Sequence, residues 1–153
     1  MIRIINYEDK YHEDFKRLNI EWLEKYNLAE SHDLEVLDDP RGTILDGGGV
    51  IYIAADDNQM VGSAALIKEE DGVYELAKMA VATDWRGKGI GKLLIEKCLD
   101  TARSWDAKKV TLYSNSQLQT ALNLYKKYGF YHISTENSPY VTADVRMELL
   151  LSK

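Results

Sequence analysis

The stretch that decides the fold is Arg86-Gly87-Lys88-Gly89-Ile90-Gly91, which follows the mostly apolar run Leu76-Ala77-Lys78-Met79-Ala80-Val81 and precedes Lys92-Leu93-Leu94-Ile95. Glycines at alternate positions let the backbone take positive φ and let a ligand approach with no Cβ in the way. The amides of Gly89 to Leu93 open a helix, lack intrahelical acceptors and point outward at the positive end of its dipole. Such a strand, turn and helix suits a phosphate or pyrophosphate. Arg86, Lys88 and Lys92 add cationic charge beside it.

Two commoner nucleotide patterns do not fit. A dinucleotide fingerprint needs glycine three positions after Gly89, where Lys92 stands. A Walker loop needs four residues between its glycines and a Ser or Thr after the Lys. Gly87 to Gly91 encloses one fewer, and Leu93 follows Lys92.

The spacing Arg-x-x-Gly-x-Gly between a strand and an amphipathic helix resembles the acyl-CoA-binding signature of the GNAT superfamily of N-acetyltransferases. Arg86, Gly89 and Gly91 fall on its fixed positions, and Leu76, Met79 and Val81 match the apolar pattern of the preceding strand. Further on, Ala121-Leu122-Asn123-Leu124-Tyr125-Lys126-Lys127-Tyr128-Gly129-Phe130 resembles the family's second motif, a helix carrying Leu-Tyr that ends at Gly-Phe.

The resemblance implies an N-acetyltransferase that moves an acetyl group from acetyl-CoA to a primary amine of a small molecule, peptide or protein by direct attack in a ternary complex. The alternative is a non-catalytic acyl-CoA-binding sensor or interaction module. The cofactor-binding residues implied are Met79, Ala80, Val81, Arg86, Gly87, Lys88, Gly89, Ile90, Gly91 and Lys92. Asn115 and Asn123 are added because Leu118 stands where the family often has asparagine, seven residues before the tyrosine. Tyr125 is the implied donor to the departing thiolate, and Glu75 the implied base, with a water relay as the other route. Trp22, Tyr26 and Tyr140 are assigned to the acceptor amine. Strict alternation would put Glu75 on one face with Ala77, Met79 and Val81, and Lys78 on the other, reaching solvent or a carboxylate.

The rest of the chain fits the mixed α/β architecture that the resemblance implies: a mostly antiparallel twisted sheet of about six or seven strands flanked by about four helices, as one domain over residues 1–153. Met1 to Asn6 reads as a strand. Tyr11, Phe15, Leu18, Trp22 and Tyr26 then recur at helical spacing. Ser31 to Asp39 reads as a short acidic helix capped by Ser31. Its carboxylates, with Glu30, read as a solvated face that would at most attract an amine. After the turn Asp46 to Gly49, three neighbouring strands follow at Val50 to Ala55, Met60 to Ile67 and Val73 to Ala82. The glycine turn opens a helix to about Trp105. Lys109 to Tyr113 alternates as a strand, and Leu118 to Tyr128 is helical and stopped by Gly129. Phe130 to Ser134 and Asp144 to Leu151 are the last strands.

The chain has 153 residues, 45% of them hydrophobic and 10% aromatic, which suffices for one core. Its 19 Lys and Arg against 25 Asp and Glu, net −6, argue against nucleic acid or an anionic membrane surface as partner and favour a cationic substrate. Cys98, alone of its kind, cannot form an internal disulfide and falls on the Ile90, Leu94, Cys98, Ala102 stripe as a core residue. His12, His32 and His132 are scattered, so no metal site is expected. No run has transmembrane length and no signal peptide is evident, so a cytoplasmic protein is expected. A homodimer is compatible with the sequence but not required by it.

Overall fold

Residues 1–136 and 138–151 are described by the computed structural model. Seven strands form one sheet: β1 (Ile2–Asn6), β2 (Val50–Asp56), β3 (Gln59–Glu70), β4 (Val73–Val81), β5 (Lys109–Ser114), β6 (Tyr131–Ile133) and β7 (Val145–Leu150). Their spatial order is β1-β2-β3-β4-β5-β7-β6, antiparallel at every step except β4 to β5. The helices are α1 (His12–Lys25), α2 (Ser31–Asp38), α3 (Ile90–Ser104) and α4 (Gln119–Lys127). A wide helical turn at Arg41–Leu45 leads into β2.

Alternation along the strands divides the core. Tyr52, Ala54, Leu66, Tyr74, Leu76 and Leu112 pack with Ile90, Leu94, Cys98 and Leu99 of α3 and with Leu122 and Tyr125 of α4. Ile51, Ile53, Ala55 and Ala65 pack with Phe15 and Leu18 of α1 and with Val36 and Leu37 of α2. Cys98 is fully buried, and burial pushes its thiol up to about 12, as befits a packing residue.

Two departures from regular pairing create the site. The parallel pairing of β4 with β5 covers only Val73 to Glu75 against Lys109 to Thr111, after which the strands diverge. In β4 itself, Ala77 opposes Ala65 but Ala80 opposes Ser63, so one extra residue bulges out, and Lys78 there takes φ +52°. For a non-glycine residue that conformation costs about 1–2 kcal/mol. The bulge is held from below: Ser63 Oγ donates to the Lys78 carbonyl at 2.8 Å, and Asn19 Nδ2 donates to Ser63 Oγ at 3.0 Å.

The bulge corrects the alternation expected for β4. Met79 and Val81 pack toward the same core as Tyr74 and Leu76, whereas Ala80 joins the α1 and α2 side. Glu75 and Ala77 therefore do not share a face with Met79 and Val81. The cap of α2 is also Glu30 rather than Ser31: the Glu30 N–H donates to Asp33 Oδ2 at 3.0 Å. Gly129 behaves as expected, taking φ +99° while the Phe130 N–H reaches back to the Tyr125 carbonyl at 3.2 Å.

Candidate active site

Where β4 and β5 part, a cleft of about 120 Å³ opens. Its walls come from Asn19 and Trp22 of α1, Asp33 of α2, Glu75 to Met79 of β4, Tyr113 to Asn115 at the end of β5, Tyr125 of α4, and Tyr140 and Thr142 of the loop before β7. Residues far apart in sequence meet here because the cleft passes between two strands that carry helices on opposite faces.

Glu75 is 8% exposed, with its Oε2 accepting a long hydrogen bond from the Tyr140 hydroxyl at 3.4 Å. Burial, helped by the charge of Glu69, pushes its carboxyl up to about 7 against the opposing pull of Lys78 and Tyr140. Burial also raises the Tyr140 phenol far above its ordinary range, and the neighbouring Glu75 adds to this. The Tyr140 ring stands 5.6 Å from Tyr113 and 5.0 Å from His32. Tyr125 packs against Phe130 at 5.9 Å, and burial alone pushes its phenol up, so it stays protonated at neutral pH.

Lys78 does not point away from Glu75. Its Nζ lies 2.5 Å from Asp33 Oδ1, with both side chains about 5% exposed, and 5.4 Å from the centre of the Tyr140 ring. It thus reaches a carboxylate, one of the two ends expected for it, but it does so inside the cleft. Asp33 and Glu30 consequently leave the solvated acidic face assigned to them. The Glu30 carboxylate accepts from the backbone N–H of Val141 and of Thr142, each at 2.9 Å, and from the Thr142 hydroxyl, strapping the Tyr140 loop to the start of α2. Burial opposes ionisation of Glu30, but the Thr142 and Val141 hydrogen bonds outweigh it and hold the carboxyl below its ordinary value.

The glycine turn lies at the other end. Gly87 and Gly89 take φ +76° and +81°, and a Cβ added at either would meet nothing within 4 Å, so the turn presents bare backbone to open space. Gly89 is the N-cap of α3, which leaves the first amides of that helix free to donate outward. Arg86 anchors the turn through Nε, which donates to the Val81 carbonyl at 3.1 Å. Its guanidinium lies 4.5 Å over the Trp22 ring, and Nη1 and Nη2 are buried with no hydrogen-bond partner among the described residues. Glu21 ties α1 to the same segment by accepting from the Thr83 N–H and hydroxyl at 3.2 and 3.0 Å. Lys88 folds over Trp85 at 5.3 Å, while Lys92 is exposed on the first turn of α3. An orphaned cation, free helix amides and a cradle that any Cβ would fill form a donor set suited to a pyrophosphate.

The sequence profile of the acetyltransferase (GNAT) family matches residues 9–130. This chain belongs to the GNAT family. An uncharacterized N-acetyltransferase of Mycobacterium tuberculosis is 36% identical over 104 residues, which are 68% of this chain and 62% of that protein. The human N-acetylaspartate synthetase is 34% identical over 103 residues, 67% of this chain and 34% of that enzyme. The chain therefore aligns with about 62% of the length of the first relative and about a third of the second. Among solved structures, a GNAT acetyltransferase of Staphylococcus aureus Mu50 superposes with a TM-score of 0.90 at 22% identity, covering 99% of this chain and all of that one.

Within this GNAT framework, the sequence-predicted residues separate into groups. Glu75, Tyr125, Trp22, Tyr140, Met79 and Asn115 line the cleft. Ala80 and Val81 continue β4 toward the turn, and Ile90 is buried beneath it. Tyr26 packs on Trp22 at 5.2 Å without lining the cleft. Asn115 already uses its side chain, donating to the Thr142 carbonyl at 2.7 Å and accepting from the Gln117 N–H at 3.0 Å. Asn123 is exposed on α4 and outside the cleft wall, so the second proposed asparagine is not brought to the site. Asn137, in the loop between β6 and β7, lies outside the described residues.

Sequence reasoning passed over Asn19, Tyr113 and Thr142 as site residues and put Asp33 on a solvated face. Asn19 carried a signal, a polar residue within the apolar Phe15, Leu18, Trp22 stripe. The other three reach the cleft through tertiary pairing and carried none. No helix among the described residues is long and apolar enough to cross a membrane.

Proposed function

We propose that residues 1–153 form one domain that transfers an acetyl group from acetyl-CoA to a primary amine, of a small molecule or of a peptide or protein, by direct attack in a ternary complex. The observation that carries this reading is that a buried carboxyl, Glu75, and a buried phenol, Tyr125, line one cleft at the parting of β4 and β5, with the donor-rich glycine turn beyond the same strand.

The chemistry follows from proton affinities. A primary amine with a pKa of about 10.4 is protonated at neutral pH and cannot attack. An ordinary glutamate near 4.5 would face a mismatch of about 6 units, or roughly 8 kcal/mol. With Glu75 near 7 the mismatch falls to about 3 units, roughly 5 kcal/mol. Glu75 takes the proton, directly or through a water. The freed nitrogen then adds to the thioester carbonyl carbon, and as the carbon–sulfur bond breaks to leave CoA thiolate the nitrogen releases its second proton to water, leaving a neutral amide. Tyr125, kept protonated by burial, donates a hydrogen bond that strengthens as charge gathers on sulfur. Acetyl-CoA supplies the activated acyl group. Arg86, the amides following Gly89 and the backbone of Met79 to Val81 would hold it, while Trp22, Tyr113 and Tyr140 wall the acceptor end.

The test is turnover. Purified protein is incubated with acetyl-CoA and a panel of amines, with thiol release and product mass followed together. Acetylated amine should form with wild type and fall at least about 100-fold in Glu75→Gln, with acetyl-CoA affinity kept within about threefold. Turnover by Glu75→Gln equal to wild type would refute the assignment of the base. Acetyl-CoA binding without acetylation of any amine would point instead to a sensor.

A further inference from the structure

The buried ion pair at the β4 bulge stands beside the carboxyl that the reaction uses. Lys78 and Asp33 contact at 2.5 Å and are almost fully enclosed. Lys78 Nζ lies over one face of Tyr140, and the hydroxyl of the same ring reaches Glu75. A pair of this kind contributes little to stability compared with apolar residues of similar size. In a low-dielectric cleft, by contrast, each of its charges acts strongly on a neighbouring carboxyl.

We propose that Lys78 and Asp33 are positioning residues that set the proton affinity of Glu75 with opposite signs, Lys78 favouring the carboxylate and Asp33 the acid. This rests on the reading of Glu75 as the proton acceptor. The bulge is what makes it possible. In a regular strand Lys78 would face away from Glu75. The extra residue, held by Ser63 and Asn19, turns its side chain into the cleft and onto α2.

Other groups also face Glu75. Glu69 comes from β3, and Tyr113 from β5 with Arg146 of β7 over its ring at 5.2 Å. Tyr140 bonds it directly, and His32 of α2 packs edge-on against Tyr140. None of these residues is replaced in the variants below, so the substitutions differ only within the pair. Lys78, whose Nζ lies over the ring that bonds Glu75, is expected to act on Glu75 more strongly than Asp33. Removing both should therefore leave a net rise in proton affinity.

The experiment is a carboxyl titration by NMR of protein labelled with 13C at the glutamate carboxyl carbon, with the Glu75 resonance identified by its loss in Glu75→Gln. Lys78→Met should raise the Glu75 midpoint by at least half a pH unit, and Asp33→Asn should lower it. The double variant D33N/K78M should lie above wild type but below Lys78→Met, and Lys78→Arg should stay near wild type. Loss of packing would move both single variants the same way, so opposite signs are the diagnostic. Single variants that move together, or do not move, overturn the proposal. Should a single variant fail to fold, the double variant, which leaves no unpaired charge, decides: an unmoved midpoint overturns the proposal. The titration needs no turnover. A moved midpoint alongside an unmoved acid limb of kcat/KM would refute Glu75 as base while leaving the tuning intact.

Discussion

The guanidinium of Arg86 lies 4.5 Å over the indole of Trp22, with Nη1 and Nη2 buried and unpartnered among the described residues. Guanidinium nitrogens buried without hydrogen-bond partners are costly, and although Arg86 Nε donates to the Val81 carbonyl, its two Nη atoms sit unpartnered at the root of a turn that exposes bare amides. The arrangement fits a group that waits for an anionic ligand. Arg86→Met should therefore leave the ligand-free protein at least as stable as wild type, while acetyl-CoA affinity falls at least about tenfold. Thermal melts and calorimetry check the two halves separately. Unchanged affinity would mean that Arg86 serves the fold alone.

Tyr125 is held by Phe130 and the α4 cap, so removing its hydroxyl leaves the packing intact. Tyr125→Phe should lower kcat about 10- to 1000-fold with acetyl-CoA affinity within about twofold, the pattern of an interaction made mainly in the transition state. Binding assays alongside steady-state kinetics separate the cases. A matching loss of affinity would make the tyrosine a binding group.

Glu75 has a folded pKa of about 7 against an ordinary value of 4.5, so the folded state binds more protons between these values. Stability must therefore fall as pH rises through that window and level off above it. Glu75→Gln removes this penalty. At pH 8 the variant should be more stable than wild type, by on the order of 3 kcal/mol, and at pH 4 the difference should nearly vanish. Urea unfolding at the two pH values measures it, and a gap that does not change with pH would show that Glu75 carries no raised pKa.

Glu30 touches neither the glycine turn nor Glu75, yet its carboxylate fastens Val141 and Thr142 beside Tyr140. Glu30→Ala should loosen one wall of the acceptor end. The expected result is an acceptor KM raised several-fold, with acetyl-CoA affinity unchanged, read from kinetics with each substrate varied in turn. An equal loss for both substrates would mean that the strap supports the whole cleft.

The parts of this architecture legible in the sequence are those set by local chemistry. The glycine turn, the apolar stripe from Ile90 to Ala102 and the Gly129 stop follow from backbone freedom and helical period, and the observed elements lie within a few residues of the expected ones. Glu75, Tyr125, Trp22 and Tyr140 could be picked out as candidates and do converge on one cleft. What failed depended on partners. Strand alternation assumes one residue opposite one residue, and nothing local to Lys78 announces that Ser63 will oppose a bulge. The faces beyond it were therefore inverted. Asp33 and Glu30 looked like solvent-facing acids because Lys78 and Thr142 are 45 and 112 residues away. Asn123, offered as a stand-in for the asparagine that Leu118 replaces, is turned outward by helical geometry.

Whether the glycine turn and parted strands form an acyl-CoA site is tested by the thermal shift of wild type and Gly89→Val with acetyl-CoA, CoA and ATP in parallel. At a hundredfold excess over Kd a ligand specific to the native state adds about 2.7 kcal/mol, roughly a 5 to 10 °C rise in Tm for a chain of this size. That rise is expected for wild type with both CoA forms and not with ATP. Gly89→Val, whose Cβ would project into the open space before the turn, should melt lower without ligand because φ is +81° there, and should gain little from either CoA form. No rise in wild type, or an equal rise in Gly89→Val, would contradict an acyl-CoA site there.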